Sequence, residues 1–220
     1  YEKWIGFFFT VSYLYSQFLF DPNCQNCVKN AKETVAQSAL WLSQSDVFSS
    51  INKERLTLNF GFSFLGGNNL IPNINSTFKI TENLSLTSKV YTFTYNKTTP
   101  QILGVGFNYY PSKAGKHNWS FCLQKVDIRG LKDYRQSIVA LSIIKSLRLK
   151  TFEILYGIGS NFNKQRLYVV YNNSQEKMEN QINYFDIAIL KRIKYLDIKF
   201  NIISNFESNI ISLMFKKNIF

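Results

Sequence analysis

The sequence predicts an all-β fold: an up-and-down antiparallel transmembrane β-barrel of about ten strands, with a short N-terminal helical segment. Three observations carry this. From residue 55 onward, apolar residues recur with a period of two, as in a strand whose successive side chains point to opposite faces. The breaks between these runs are Gly-, Pro- and Asn-bearing, and no helical crossover follows residue 54, so neighbouring strands run antiparallel. The face opposite the apolar one is small and mildly polar rather than rich in Lys and Glu. Such a face suits the inside of a narrow barrel, which leaves the apolar face to lipid.

The chain divides into three stretches. Residues 4–20, WIGFFFTVSYLYSQFLF, form an apolar run behind Lys3 that stops at Asp21-Pro22. Thr10, Ser12, Ser16 and Gln17 interrupt it too often for a transmembrane helix, but it fits the apolar region of a secretory signal. Residues 1–16 are therefore expected to be a signal-peptide remnant. Residues 17–54 form a segment of different texture, in which Val35, Ala39, Leu40 and Leu42 fall near helical spacing. Its CQNC motif, Cys24 and Cys27, reads as a local disulfide or two thiols. A metal site needs further ligands, and the chain offers only Cys122 and His117 besides, so no metal is expected. Residues 55–220 form the barrel.

Within the barrel, strand one (55–65) sets Leu56, Leu58, Phe60, Phe62 and Phe64 on the lipid-facing side against Thr57, Asn59, Gly61 and Ser63. Strands two (75–81) and three (84–96) flank the tight turn Thr81-Glu82-Asn83. The pattern slips near Ser88-Lys89, which implies a bulge. Strand four (100–111) opposes Leu103, Val105, Phe107 and Tyr109 to Gly104, Gly106 and Asn108. Strand five (117–128) opposes Trp119, Phe121 and Leu123 to Ser120, Cys122 and Gln124. Strands six (133–146), seven (148–171), eight (178–192), nine (194–206) and ten (208–220) continue the period. A break in strand seven at residues 160–163 would make eleven; closure with both ends on one side requires an even number, so ten is expected. Tyr and Trp cluster near strand ends, among them Tyr91, Tyr109, Tyr110, Trp119 and Tyr134, as at a membrane–water boundary.

The net charge is +12, but the densest basic stretches, residues 145–150 and 191–194, are short and lie between strands. Lipid head groups are the expected partners of such loops, and nucleic acid is not. Glu153, Asp186 and Lys199 are candidate lumen-facing groups. They read either as an ion or solute path or as a salt-bridge network that fills and stiffens a narrow bore. Enzyme chemistry is not expected: His117 and Ser120 are three residues apart, so a strand sends them to opposite faces. No cofactor motif is present.

Three passages, LTLNFGFSF, FKITENLSLTSKVYTF with its echo KRIKYLDIKFNI, and the ending NIISLMFKKNIF, resemble the small outer-membrane β-barrels of Gram-negative bacteria. The resemblance covers residues 55–220. It implies a bacterial outer-membrane location and Phe220 as the signal read by the outer-membrane assembly machinery. Counting back by twos from Phe220 meets Asn218, Lys216 and Met214, whereas Ile211, Leu213, Phe215 and Ile219 form the apolar series, interrupted by Lys217, so either a bulge reconciles the two or the last strand is atypical. The implied role is structural, adhesive or ligand-binding through extracellular loops such as 66–73 and 172–181, or a narrow channel. The alternative is a soluble secreted β-barrel holding a small apolar ligand. The two differ in which way the apolar faces point.

Overall fold

A computed structural model of the chain describes residues 27–47, 55–65, 69–94, 99–111, 118–131, 134–169, 174–193 and 196–219. The signal-like run, Cys24, His117 and Phe220 lie outside them, as does the side chain of Cys27. One helix, α1 (Cys27–Leu42), precedes ten strands: β1 (Leu56–Leu65), β2 (Asn69–Lys79), β3 (Leu84–Thr92), β4 (Gln101–Tyr109), β5 (Trp119–Arg129), β6 (Tyr134–Arg148), β7 (Glu153–Val169), β8 (Ser174–Ile193), β9 (Leu196–Ser204) and β10 (Asn209–Asn218). Each strand pairs antiparallel with the next, and β1 pairs with β10 to close the barrel. Closure removes the exposed edges that an open sheet would carry. We call the end where β1 begins and β10 finishes the near end. The opposite, far end carries the turn at 205–208.

Several local expectations change. β2 starts at Asn69, so most of the loop expected over 66–73 is strand, paired with β1 up to Leu65↔Asn69. Of the loop expected over 172–181, residues 174–181 are also strand, with the ladder running to Val169↔Ser174. No bulge interrupts β3 at Ser88-Lys89: its ladder with β4 is continuous from Leu84↔Tyr109 to Thr92↔Gln101. The slip in the pattern arises because Lys89 turns inward and Ser88 outward, reversing the usual polarity of the faces. β10 is likewise unbroken. Met214 and Lys216 point inward while Ile211, Leu213 and Phe215 point outward, and Phe60 of β1 stacks on Phe215 at 5.5 Å. β7 runs straight through residues 160–163, giving ten strands rather than eleven.

The wall is uneven in height. β8 pairs with β9 only from Phe185↔Ser204 toward the near end, yet it continues along β7 to Ser174. The β7–β8 pair therefore extends past β9 at the far end. The turn from β5 into β6 uses Gly130 at φ +83°, a left-handed conformation that other residues adopt only with strain. A Cβ there would also press on the Thr99 carbonyl.

The largest departure concerns α1. The sequence treats it as part of a segment in front of the barrel, but it lies inside the bore. Val35, Ala39, Leu40, Trp41 and Leu42 are almost fully buried among inward-facing wall residues. A short apolar stripe on a helix is stable only when something covers it, and here the barrel wall surrounds it.

Candidate functional site

The wall has two unlike faces. Outward, along β1, β4, β8 and β10, stand Leu58, Phe64, Val105, Phe107, Phe185, Ile187, Ile189 and Ile211, all exposed; Phe60 and Phe62 are half-buried on the same side. Inward on β1 stand Thr57, Asn59 and Ser63, all buried. An exposed apolar surface that encircles the molecule is far larger than a water-soluble monomer tolerates, and it matches the belt a membrane barrel offers to acyl chains. No helix among the described residues is long and apolar enough to cross a membrane. The crossing elements are strands, most of whose backbone groups are satisfied by ladders with the neighbouring strands.

The aromatic residues divide between the faces. Tyr109, Trp119 and Tyr156 are exposed outside at the near end, where Lys145 Nζ sits 5.2 Å from the centre of the Trp119 ring. Tyr110, Tyr134 and Tyr184 point into the bore and are buried, and Tyr91 packs on the interior. Tyr91, Tyr110 and Tyr134 are therefore not parts of an interfacial girdle; each is held inside by an apolar contact or a hydrogen bond to an interior group.

The bore is filled by α1 and a strap, residues 43–47, and the hydrogen bonds record the direction of the chain through it. Near the far end, Gln136 Nε2 donates to the Val35 carbonyl (3.4 Å), and Ser38 Oγ donates to Gln136 Oε1 (2.8 Å). Lower down, Asn161 Nδ2 donates to Ser43 Oγ (2.7 Å) and Tyr184 hydroxyl reaches the Ser43 carbonyl (3.4 Å). Tyr184 occupies the space left by Gly159 on the adjoining strand, where any Cβ would overlap its ring. Next, Asn73 donates its side-chain amide to Gln44, and Gln124 Nε2 donates to the carbonyls of Leu42 (3.2 Å) and Gln44 (3.3 Å). Ser45 Oγ donates to Asp186 Oδ2 (3.0 Å), and Asn75 Nδ2 to Asp46 Oδ1 (2.6 Å). Val47 finally packs with Cys122, Ile144, Leu155 and Ala188 toward the near end. Residues 27–47 thus run through the bore from the far end toward the near end, the end at which β1 begins.

Two lysines anchor the strap. Lys89 Nζ donates to the Gln44 carbonyl at 2.6 Å and lies 3.6 Å from Asp46 Oδ2. Lys199 Nζ donates to the carbonyls of Ser45 and Val47, both at 3.1 Å. Lys199 is 1% exposed, so its charge is satisfied by oxygen atoms of the strap and not by water. Of the residues singled out from the sequence, Asp186 and Lys199 both meet the strap. Glu153 stands apart at the near mouth, 3.8 Å from Arg148 Nε. There Arg148, Lys150, Glu153, Leu190 and Arg192 line an open depression of about 210 Å³. Arg192 in turn pairs with Asp197 at 3.2 Å.

Lys89, Asp46, Gln124, Asn161 and Tyr184 escape the sequence reading. Lys89 carried a signal, since a lysine in phase with Ser85 and Thr87 marks an inward charge that needs a partner. Ser120, considered with His117, is buried and donates to the Ile144 carbonyl at 3.3 Å. Cys122 is a free, buried thiol. Among the described residues no group of three or more His, Cys, Asp or Glu is placed to hold a metal ion.

No protein-family model matches the sequence. No curated protein matches it either. Among solved structures, Ail, the attachment invasion locus protein of Yersinia pestis, is similar at 8% identity and a TM-score of 0.37, over 75% of this chain and 97% of that one. Neisserial surface protein A is similar at 6% identity and a TM-score of 0.38, over 74% of this chain and 96% of that one. The N-terminal β-barrel domain of Pseudomonas aeruginosa OprF is similar at 8% identity and a TM-score of 0.37, over 76% of this chain and 98% of that one. The chain itself has the architecture its sequence resemblance implies: a closed ten-stranded antiparallel barrel, apolar outside and filled within.

Proposed function

We propose that the protein is an integral β-barrel of the bacterial outer membrane whose bore is closed by its own amino-terminal segment, and that it acts through its outer rim and not as an open pore. The carrying observation is the inversion of the two faces. The apolar series Leu58 to Phe64 points outward while the interior holds Lys89, Lys199, Asp46 and Asp186 around the strap. A soluble carrier of an apolar ligand needs the opposite arrangement. The far end is then extracellular, where the extended β7–β8 pair offers adhesive or ligand-binding surface. The basic near rim, with Arg148, Lys150 and Arg192, faces lipid phosphates on the periplasmic side. Phe220 serves as the handle for the assembly machinery. A gated narrow channel is the second reading, supported by the polar attachment of the strap, which can exchange its hydrogen bonds for water.

The test is expression of residues 17–220 behind a bacterial export signal, followed by fractionation and electrophoresis of unboiled beside boiled samples. Recovery in the outer membrane with a heat-dependent mobility shift is expected. Folded material in the soluble periplasm would overturn the reading. Planar bilayers separate the two membrane roles: a quiet trace is expected from the closed bore, and steady conductance would favour the channel.

A further inference from the structure

Closure of the barrel does not reach the top of β8. That strand is paired with β7 as far as Val169↔Ser174, but with β9 only as far as Phe185↔Ser204. Beyond Phe185 no strand among the described residues covers the edge that β9 covers lower down. The backbone groups left there can be named. The Leu149 N–H donates to the Phe152 carbonyl at 2.9 Å, so the even residues of β7 bond to β6 and the odd ones to β8. Successive strand residues turn their backbone groups to opposite sides. On β8 the even residues therefore bond to β7, and the odd ones face β9. Above Phe185 the odd residues Asn183, Gln181, Glu179 and Lys177, all exposed, turn their N–H and C=O groups to an open edge. Nothing blunts it: residues 174–184 contain no proline, and their ladder with β7 has no bulge.

This stretch stands above the apolar belt. Lower on the outer face, Phe185, Ile187 and Ile189 of β8 and Ile158 and Phe162 of β7 are exposed. Above them the outer face carries Lys164 and Arg166 on β7 and Lys177, Glu179, Gln181 and Asn183 on β8. The charges are unevenly matched. Lys164 pairs with Glu179 at 3.1 Å, but the next rung sets Arg166 directly opposite Lys177. Like charges across a ladder repel, and an anion on the open side of Lys177 would offset the repulsion.

We propose that the free edge of β8 pairs antiparallel with the same edge of a second copy held in a facing membrane, so that the protein joins one outer membrane to another. This rests on the outer-membrane reading above and names the partner of its adhesive surface. Backbone groups meet across the two edges only where odd residues face odd residues. With Met178 on the twofold axis, Lys177 of each copy stands opposite Glu179 of the other, and main-chain bonds extend the sheet across the contact. A shift of one rung either way sets Lys177 against Lys177 or Glu179 against Glu179. The membrane selects between the possible arrangements. Within one bilayer every β8 descends from the far end to the near end, so two such edges run in the same direction and like residues stand level with like. Copies in facing bilayers present β8 in opposite directions, and there the charges match.

Clustering of phosphatidylcholine vesicles tests the pairing apart from the membrane reading. The full chain is reconstituted, the heat-dependent mobility shift certifies the inserted barrel, and light scattering reads the clustering. Wild-type vesicles are expected to cluster. Lys177→Glu and Glu179→Lys each set like charges at both facing points, so each alone is expected to leave scattering at the level of protein-free vesicles. Mixing the two variant populations restores opposite charges at every facing point, and the double variant Lys177→Glu/Glu179→Lys does so by itself. Recovery of clustering in either supports the register, and the double variant decides alone if a single variant fails to insert. Inserted wild-type barrels that leave vesicles dispersed, single variants that cluster as the wild type does, or no recovery in the mixture or the double variant overturn the pairing and leave the membrane reading standing. A wild-type chain that does not insert overturns both.

Discussion

Along the bore, α1 and the strap that follows it meet two different walls. Around α1, at the far end, the inward residues are Val126, Ile128, Ile138, Ile182, Ile203 and Ile210, and the packing is that of an ordinary dry core. Around residues 43–47 the inward residues include Asn73, Asn75, Lys89, Gln124, Asp186 and Lys199, and apart from the apolar packing of Val47 the contacts are mainly hydrogen bonds. The helix satisfies its own backbone and needs only its side chains covered. The strap is not helical, so its carbonyls must find donors in a place water cannot freely reach. The wall supplies them from side chains: Lys89 and Gln124 to Gln44, Lys199 to Ser45 and Val47, Tyr184 to Ser43. Apolar packing without directional bonds holds one half of the plug, and a set of named donors holds the other.

The comparison makes the two halves respond differently to substitution. The largest effect is expected in the polar half. Lys89→Met leaves Asp46 as a buried carboxylate without its cation, a change that destabilises by about 3–5 kcal/mol. It should lower the temperature at which the unboiled form converts to the boiled one, and Asp46→Asn added to it should restore part of the loss. An absence of any recovery in the double variant would break the assignment of Asp46 as the partner. In the apolar half, Leu40→Ala opens a cavity at a fully buried position, with a loss of about 2–5 kcal/mol. It should leave the bilayer trace quiet, whereas Lys199→Met, which deprives two strap carbonyls of their donor, should raise conductance. Similar traces for the two variants would dissolve the distinction between the halves.

A smaller effect is expected where the halves meet. Gly159→Ala forces Tyr184 away from the Ser43 carbonyl; overpacking of this kind typically destabilises by about 1–3 kcal/mol, and Tyr184→Phe in the same chain should not relieve it, since the overlap is with the ring. Thermal conversion of single and double variants would measure this. The smallest effect belongs to Lys164 of β7 and Glu179 of β8, which pair at 3.1 Å with both side chains mostly exposed. Replacing both with Ala should change stability by no more than about 1 kcal/mol and fade further with added salt.

The contrast also explains what was legible in the sequence. On β1, Leu56 to Phe64 alternate with Thr57, Asn59, Gly61 and Ser63, and a period that clean identifies a two-faced strand without any structure. On β6 the pattern blurs, because Ile138 and Ala140 are as apolar as Val139 and Leu141. That blur had a cause: the inward face there packs on α1, so both faces are apolar. Inward Val126, Ile128, Ile182 and Ile203 repeat the message, but only a reader who already suspects an apolar occupant would take it. Lys89 misled in the other direction, since an inward lysine imitates a bulge until its partner, forty-three positions earlier at Asp46, is known.

What the sequence determined by itself is what depends on neighbours in the chain. The period of two from residue 55 and the turn chemistry at 81–83 are local quantities, and local sterics are enough to set them. The placement of residues 27–47 inside the bore was decided only in the tertiary structure. An amphipathic helix specifies that one face be covered but not by what. A strap of Ser43, Gln44, Ser45 and Asp46 specifies that its groups be bonded but not to which strands. The donors that answer it come from β1, β2, β3, β5, β7, β8 and β9, as far as one hundred and fifty-four positions away for Lys199 and Ser45, and nothing local in the chain links them until the barrel closes.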